Sequence, residues 1–448
     1  MANQITTKSS EPSFIQKFDV VSNKDKSTTV SLLGKGSTIR LMYYESILQD
    51  TVKASYTFAD TGNAINGKTA LEGLPIVGQE KVFIKFTDNN ENTLELVLYV
   101  NKVTPLTEDT TKGMVQLDLV SKEFILNEKI RLNERFDGKI SDHVRKILTA
   151  QNYLATKKKI DIEETSNNYN FIGNNRKPYY AMNWLSKKSV SSESQKKGDS
   201  AGYFFFETSD GFKFRSIDGL LSQEKKKSII FNQTPDSRGT NLPAGYDVKA
   251  LEYSKDNRVD VQEKLKMGAF STRTILFDPF NCYYEVVVPN AKEKEKSLKL
   301  GGKELPTLNS EFNRTGANKD FSRTTYYLLD KGTLPSGNVE QQIAKSKEEN
   351  FEYKNILNQS IMRYNQLFSI KSTVTIPGDF SLHAGDVVFC DAKQLSENDE
   401  EINKEYGGLY IIADLCHYIS PAGTFTKLNL VRDSFGRTGN HTSGKIPL

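Results

Sequence analysis

The chain has 448 residues and a mass of 50.5 kDa, which at ~100–200 residues per domain predicts two to four domains. Its 60 Lys and Arg against 56 Asp and Glu leave a net charge of +4, too little in a chain of this size to indicate a dedicated polyanion binder. Three cysteines, an odd number, argue against a secreted disulfide framework. Neither a signal peptide nor an apolar run of the ~18–20 residues that cross a bilayer is present, so we expect no stable membrane insertion.

Residues 14–130 are predicted to form an all-β domain that follows a flexible N-terminus, residues 1–13. Apolar residues alternate with polar ones in this region, as in strands with one buried face. Because no convincing helix separates the strands, we expect an antiparallel sheet that is closed or folded over on itself. The predicted strands cover residues 14–20, 39–43, 52–58, 82–86, 94–100 and 115–119.

Residues 131–245 are predicted to form an inserted α+β domain. Apolar residues at helical spacing indicate a helix over 139–151, and Pro178 begins a second short helix. The aromatic segment 203–214 is predicted to be a hairpin that turns at residues 209–211, with Phe204 and Phe206 facing inward.

The remainder of the chain is predicted to return to strands. A helix is expected around 259–268 and a hairpin that turns at residues 278–281 follows it. Residues 291–345 are expected to be a long irregular excursion, because they are rich in Lys, Glu, Gly and Asn. A helix over 351–368 then leads to strands at 369–376, 382–391, 409–417 and 425–432, and the tail 435–448 is expected to be flexible.

This order predicts a mainly β fold with an α+β insertion, in which a β-barrel domain is duplicated. The second barrel would combine residues 246–290 with residues 369–434, and the excursion and the helix, residues 291–368, would separate these two parts.

No residue cluster points to a metal, a cofactor or a catalytic site. The histidines show no metal-ligand spacing, and Cys416 and His417 are neighbours on a strand and point to opposite faces. We interpret this pair as one core cysteine and one surface imidazole. His417 with Cys390 or Cys282 is the one pairing compatible with a thiol nucleophile, but packing is the favoured role for strand cysteines. The four histidines are His143, His383, His417 and His441, and the three cysteines are Cys282, Cys390 and Cys416.

Two further features have a structural and a functional interpretation. Residues 131–270 hold 25 Lys and Arg against 18 Asp and Glu, an excess of seven, which indicates solvated loops more strongly than a surface for an acidic protein or for DNA. The aromatic hairpin 203–214 could stack on bases or sugars, but core packing is favoured. We therefore predict a structural protein and not an enzyme.

Several segments, in this order, resemble the baseplate central hub proteins of T-even-like contractile-tailed bacteriophages, which are related to the hub of type VI secretion spike proteins and to phage late-control tail proteins. The resemblance covers about residues 14–435 and is weakest at 291–345. It rests on GLPIVGQEKVFIKF (73–86), LVSKEFILNEKIRLNERFDGKISDHVRKIL (119–148), KPYYAMNWLSKKS (177–189), FFFETSDGFKF (204–214) and the C-terminal strands, with Pro377-Gly378 and Ala384-Gly385-Asp386 as their turn residues.

This resemblance implies a homotrimer in which each chain carries two tail-tube-like barrels, so that three chains form a pseudo-sixfold ring. Such a ring adapts a hexameric tail tube to a trimeric central spike and surrounds part of the DNA channel without sequence-specific binding. The implied partners are the spike, the tail tube or a tube-initiator protein and the baseplate wedge proteins, within the virion tail after assembly in the host cytoplasm. The alternatives are a tail-associated receptor- or glycan-binding protein and a cell-wall hydrolase.

Overall fold

The computed structural model describes residues 13–24, 28–33, 37–60, 62, 63, 65, 67–108, 112–193, 201–231, 242, 245–256, 260–270, 272–278, 282–287, 308–312, 321–328, 337–346, 353–392 and 406–434. The predicted flexible ends, except Ser13, and residues 291–307, 313–320 and 329–336 of the predicted excursion lie outside these residues. Within them, no helix is both long and apolar enough to cross a membrane.

Strands predominate over helices. The strands are β1 (Phe14–Val21), β2 (Thr29–Ser31), β3 (Ser37–Ser46), β4 (Lys53–Asp60), β5 (Lys81–Thr87), β6 (Thr93–Glu108), β7 (Gly113–Val120), β8 (Arg135–Phe136), β9 (Ile160–Ile162), β10 (Phe171–Ile172), β11 (Tyr203–Thr208), β12 (Gly211–Ser216), β13 (Lys227–Phe231), β14 (Val248–Lys249), β15 (Glu252–Lys255), β16 (Thr272–Asp278), β17 (Tyr283–Val287), β18 (Arg323–Leu328), β19 (Ile370–Pro377), β20 (Val387–Ala392), β21 (Gly408–Ser420) and β22 (Gly423–Arg432).

The helices are short, except for the last. They are α1 (Ala70–Gly73), α2 (Lys122–Lys129), α3 (Ile140–Thr149), α4 (Pro178–Ser186), α5 (Ile217–Leu221), α6 (Val261–Met267), α7 (Val339–Ser346) and α8 (Tyr353–Leu367), together with a 3-10 turn at Ser310–Phe312.

The N-terminal strands form the first half of a large sheet, in the order β3-β4-β7-β6-β5-β1-β2. All of these neighbours are antiparallel, as the alternating pattern predicts. Their inward residues, such as Phe18, Tyr56 and Phe86, form one buried hydrophobic cluster. Burial of such large side chains stabilises the fold by roughly 1.5–3 kcal/mol each.

The second half of the sheet joins the first half directly, because β3 pairs antiparallel with β21 from Ser46↔Asp414 to Leu41↔Ile419. Strand β21 also pairs with β20 and β22, while β13 and β14 extend this half through parallel pairs. The prediction of a mainly β fold is confirmed, but the prediction of two antiparallel β-barrel domains is wrong, because the two halves share one sheet. Fourteen of the described strands form one mixed sheet with no closed barrel, and the other eight form three small sheets.

A separate three-stranded sheet has the order β17-β16-β18, with β17 antiparallel and β18 parallel to β16. The sequence placed β16 and β17 with the C-terminal strands, but Leu276 and Val287 pack on the cluster formed by α3 and α4. Strand β18 and helix α7 lie in the segment that was expected to be irregular, so that expectation is wrong for these residues.

The predicted hairpin is present, since β11 pairs with β12 around a tight turn at residues 209 and 210. Both of its faces are buried, in contrast to the prediction of one inward face. Phe204 and Phe206 share a buried cluster with Leu220 of α5 and Val387 of β20. Phe205 belongs with Phe212 and Phe214 to the α3–α4 cluster on the other side. The hairpin thus lies as a middle layer between two cores.

Candidate functional site

Three parts of the chain meet at the loop of residues 378–386, which connects β19 to β20. Both glycines of the Pro377-Gly378 and Ala384-Gly385-Asp386 turns allow close packing there. Gly385 has φ of +87°, and a Cβ on it would lie 2.9 Å from Phe206 Cζ. A Cβ on Gly378 would lie 2.5 Å from Thr424 Cγ2. The small residues therefore let the loop lie directly against β11 and β22.

Glu45 joins these parts from the inward face of β3. Its buried carboxylate accepts hydrogen bonds from Tyr43 Oη at 2.8 Å, from the Ser209 amide at 2.7 Å and from the Ala384 amide at 3.0 Å. Burial alone would raise the pKa of Glu45, but the hydrogen bond and charge of His383, with the two backbone amides, lower it to about 2. The carboxylate therefore stays ionised inside the protein.

His383 lies beside Glu45 and is almost fully buried. Its Nδ1 is 3.4 Å from Glu45 Oε1 and 3.3 Å from Ser209 Oγ, and its Nε2 is 3.7 Å from Asp210 Oδ2. Burial favours the neutral imidazole, but the hydrogen bond and charge of Glu45, followed by the charges of Asp386 and Asp210, raise the pKa of His383 overall. The imidazolium form is thus stabilised.

This group of Ser209, His383 and two acids differs from a nucleophilic triad. In a triad, the acid and the serine contact different ring nitrogens, and the neutral imidazole takes the serine proton. Here Glu45 and Ser209 both lie next to Nδ1, and the surrounding carboxylates favour the protonated ring. The geometry supports a positioning role for His383 between β3 and the 378–386 loop.

A second ionic cluster fixes the hairpin to the first half of the sheet. The buried Glu207 of β11 accepts hydrogen bonds from Thr51 Oγ1 at 3.0 Å and from the Val52 amide at 3.2 Å. Lys158 Nζ lies 2.5 Å from Glu207 Oε1 and 3.0 Å from Glu123 Oε2. Burial raises the pKa of Glu207, although Lys158 opposes this shift.

A third ionic cluster connects the long helix α8 to α5 and to the end of β22. Arg363 of α8 is buried and lies 2.9 Å from Asp218 Oδ1, on α5, and 3.4 Å from Asp433 Oδ2, which follows β22. Buried pairs of this kind are often no more stable than an apolar core, but removal of one partner is strongly destabilising. The Arg363 cluster therefore restricts how α8 can lie against α5 and β22.

His417 and His143 are core residues. His417 has an exposed fraction of 0%, its Nδ1 lies 2.9 Å from Thr426 Oγ1, and its ring packs edge-on to Phe380. The interpretation of His417 as a surface imidazole is therefore wrong, and burial lowers its pKa to about 4. His143 is also buried, with Nε2 2.9 Å from the Tyr169 carbonyl oxygen. His441 lies outside the described residues.

The three cysteines are free and differ in exposure. Cys390 is buried and Cys282 is exposed, whereas Cys416 is half-buried, so the interpretation of Cys416 as the core member of its pair is also wrong. Burial raises the pKa of Cys390 to about 12 and that of Cys416 to about 11, which suppresses the reactive thiolate.

Several lysines of the predicted basic clusters make internal contacts, contrary to the expectation of solvated loops. Lys188 is only 1% exposed, and its Nζ lies 4.6 Å from the ring centroid of Trp184 and 4.7 Å from that of Tyr327. Lys226 lies 2.8 Å from Asp386, but its side chain is 43% exposed, as expected for a solvated lysine. Lys196 and Lys197 lie outside the described residues.

Most residues of these ionic clusters were missed from the sequence, although a signal exists. Glu45 follows Leu41 and Tyr43 at the same alternating positions of its strand, and Glu207 lies within the aromatic hairpin. A charged residue at an inward strand position needs a buried partner, so both glutamates were identifiable. Among the described residues, no group of three or more His, Cys, Asp or Glu could hold a metal ion.

Comparison of the structure with solved structures shows that the fold is shared with a phage tail protein. A 43 kDa tail protein of prophage MuSo2 from Shewanella oneidensis is 10% identical, with a TM-score of 0.51 over 93% of this chain and 98% of that chain. A tail protein from Neisseria meningitidis MC58 is 9% identical, with a TM-score of 0.48 over 93% and 96%.

A type VI secretion component from E. coli, described as similar to phage T4 tail proteins, is 8% identical, with a TM-score of 0.43 over 92% of this chain and 77% of that chain. No protein-family model matches this chain, and no curated protein matches its sequence. The structural similarity therefore establishes the fold, which is that of the Shewanella prophage tail protein.

Proposed function

We propose that this chain is a structural virion protein, the homotrimeric hub of a contractile-tail baseplate. In this role three copies form a pseudo-sixfold ring that adapts the hexameric tail tube to the trimeric central spike, and the ring surrounds part of the DNA channel. The observation that carries the proposal is the agreement with a prophage tail protein over 93% of this chain and 98% of that one.

The internal construction of the chain supports a mechanical role. The β3–β21 pair continues one sheet through both halves of the molecule, and three buried ionic clusters attach the hairpin, α5 and α8 to that sheet. Domains are expected to move relative to each other unless the interface between them is large and buried. Here the contacts are buried and specific in direction, which suits a part that must hold partners in register.

The organisation of the chain in the hub is part of the same proposal. We assign residues 14–130 to one tube-like unit and strands β13–β15 and β19–β22 to the other. The rest of residues 131–245 forms an outer insertion, and β16 and β17 stay with their separate sheet. The spike, the tail tube or its initiator and the wedge proteins are the proposed partners. DNA would pass through the ring without sequence-specific contacts, in accord with the small net charge of +4.

The experiment is the mass of the purified native protein by light scattering, followed by electron microscopy of the same sample. A homotrimer of the 50.5 kDa chain has a mass of about 150 kDa and presents a threefold ring with a central opening. A protein that stays monomeric, alone and with the spike protein encoded beside it, contradicts the hub. Saturable binding of such a monomer to host-envelope glycans would favour the receptor-binding alternative.

A further inference from the structure

The sheet β17-β16-β18 presents an apolar face to solvent. Residues directly opposite one another across the three strands share this face, because Phe277 pairs with Tyr284 and Leu328, and Ile275 pairs with Val286 and Tyr326. Tyr326 is 78% exposed, Tyr284 66% and Leu328 65%. The six side chains thus form two adjacent rows of a single patch.

The other face of this sheet is firmly attached to the protein. Leu276 and Val287 pack into the α3–α4 cluster, and Lys188 donates a hydrogen bond to the Tyr327 hydroxyl. Thr274 and Thr325 share a hydrogen bond of 3.0 Å across the strands. The exposed residues therefore stand on a fixed platform, which lowers the entropy lost when a partner binds.

The size of the patch suits a protein interface. With ~150–250 Å² for each aromatic side chain and the exposed fractions of these residues, the apolar area is on the order of 500 Å². That is near the upper end for the largest patch of a typical monomer, ~300–600 Å², and more than half of the ~800 Å² that each partner contributes to a standard interface.

The chemistry of the patch favours a protein over a glycan or a nucleic acid. Sugar and base recognition needs several hydrogen-bonding groups around the aromatic rings. Four of the six side chains supply none, and Tyr284 and Tyr326 supply one hydroxyl each. The charged residue in line with Ile275 and Phe277 on β16 is Arg273, whose guanidinium lies 4.7 Å from the Phe321 ring centroid. A mostly apolar and aromatic surface with one arginine beside it is typical of a protein–protein contact, where aromatic residues and Arg are enriched.

We propose that this apolar sheet face is a contact surface between copies of this chain. This inference rests on the proposed homotrimer, since in a threefold ring each copy offers the same face to a different surface of the next copy. The patch supplies more than half of the area that one partner contributes to a standard interface. Contact with a second copy also covers an exposed apolar surface that would otherwise promote aggregation.

The test compares the native mass of the full chain with that of Tyr326→Lys and Leu328→Lys, each measured across a concentration series. Tyr180→Lys is the matched control, because Tyr180 is a 58% exposed tyrosine on α4. Because Tyr326→Lys and Leu328→Lys each remove a central contact residue, we expect each to raise the dissociation constant of the trimer by ~30-fold or more. Tyr180→Lys should keep the dissociation constant of the wild type. Far-UV circular dichroism verifies the fold, and Tyr326→Ser replaces any variant that is misfolded.

The outcomes separate this inference from the proposed function. A trimeric wild type with monomeric platform variants supports the surface. A trimeric wild type whose platform variants are equally trimeric overturns the surface and leaves the ring intact. A wild type that is monomeric at every concentration, alone and with the spike protein, overturns both.

Discussion

Replacement of Arg363 by Met is expected to be among the most destabilising single changes at the joint. Arg363 lies between Asp218 and Asp433 at 2.9 and 3.4 Å, and all three side chains are buried. Methionine fills a similar volume but removes the guanidinium from beside the two buried carboxylates. Loss of one partner of a buried ion pair costs about 3–5 kcal/mol, so we expect the free energy of unfolding of Arg363→Met to fall by that amount.

The matched control is Arg145→Met. Arg145 also pairs with two carboxylates, Asp142 at 3.1 Å and Glu164 at 2.8 Å, but its side chain is 43% exposed. Exposed pairs contribute about 0–1 kcal/mol. Urea unfolding followed by far-UV circular dichroism measures both variants, and addition of Asp218→Asn to Arg363→Met should recover part of the loss. Equal, small losses for Arg363→Met and Arg145→Met would refute a buried ionic joint.

Three other predictions concern single residues. The pKa of His417 is about 4 in the folded protein against 6.5 in the unfolded chain. Its contribution to the free energy of unfolding is therefore fully present above pH 6.5 and is lost as the pH falls toward 4, a difference of roughly 3 kcal/mol. The melting temperature of His417→Gln should accordingly depend less on pH than that of the wild type. Gly385→Ala, with φ of +87° and a Cβ 2.9 Å from an aromatic carbon, should lose more stability than Gly62→Ala, which has φ of +77° in open space; the φ strain alone costs about 1 kcal/mol or more, and equal melting temperatures would contradict the close packing. A thiol reagent at pH 8 should modify the exposed Cys282 within minutes and leave the buried Cys390 intact until denaturant is added, and mass spectrometry of the labelled peptides distinguishes the two.

Strand positions were predictable because strands such as β5 and β7 bury every second residue. Phe18 and Val20, like Ile84 and Phe86, are two positions apart and therefore lie on the same buried face of their strand. The order of strands was not predictable in the same way. Any two strands with matching inward residues satisfy the pattern equally well, so the β3–β21 pair that merges the two halves leaves no mark in the sequence.

The position of His417 shows how one backbone irregularity reverses an inference. Ile412 and Leu415 face the same core, although three residues apart, because the register shifts between Ile412 and Asp414. A bulge moves every following side chain to the other face. His417 therefore points inward and Cys416 outward, the reverse of the sequence interpretation, and the run of apolar residues before the bulge conceals the shift.

The double burial of the hairpin was within reach of the sequence. Four consecutive aromatic residues, from Tyr203 to Phe206, leave no polar face on β11, and a strand apolar at every position is typical of one covered on both sides. The prediction of a single inward face used half of this signal. The two cores on either side explain why Glu207, near the end of the same strand, needs the half-buried partner Lys158.

Ionic joints between the parts of this protein have a consequence for its proposed mechanical role. Apolar contacts tolerate small sliding movements, since their energy depends on area and little on direction. The Glu45, Glu207 and Arg363 clusters have directional partners on different elements, and displacement of one element leaves a buried charge unpaired. Because salt screens buried charges much less than exposed ones, these ionic clusters should persist at ionic strengths that weaken surface pairs. The parts of the protein should then move as one body.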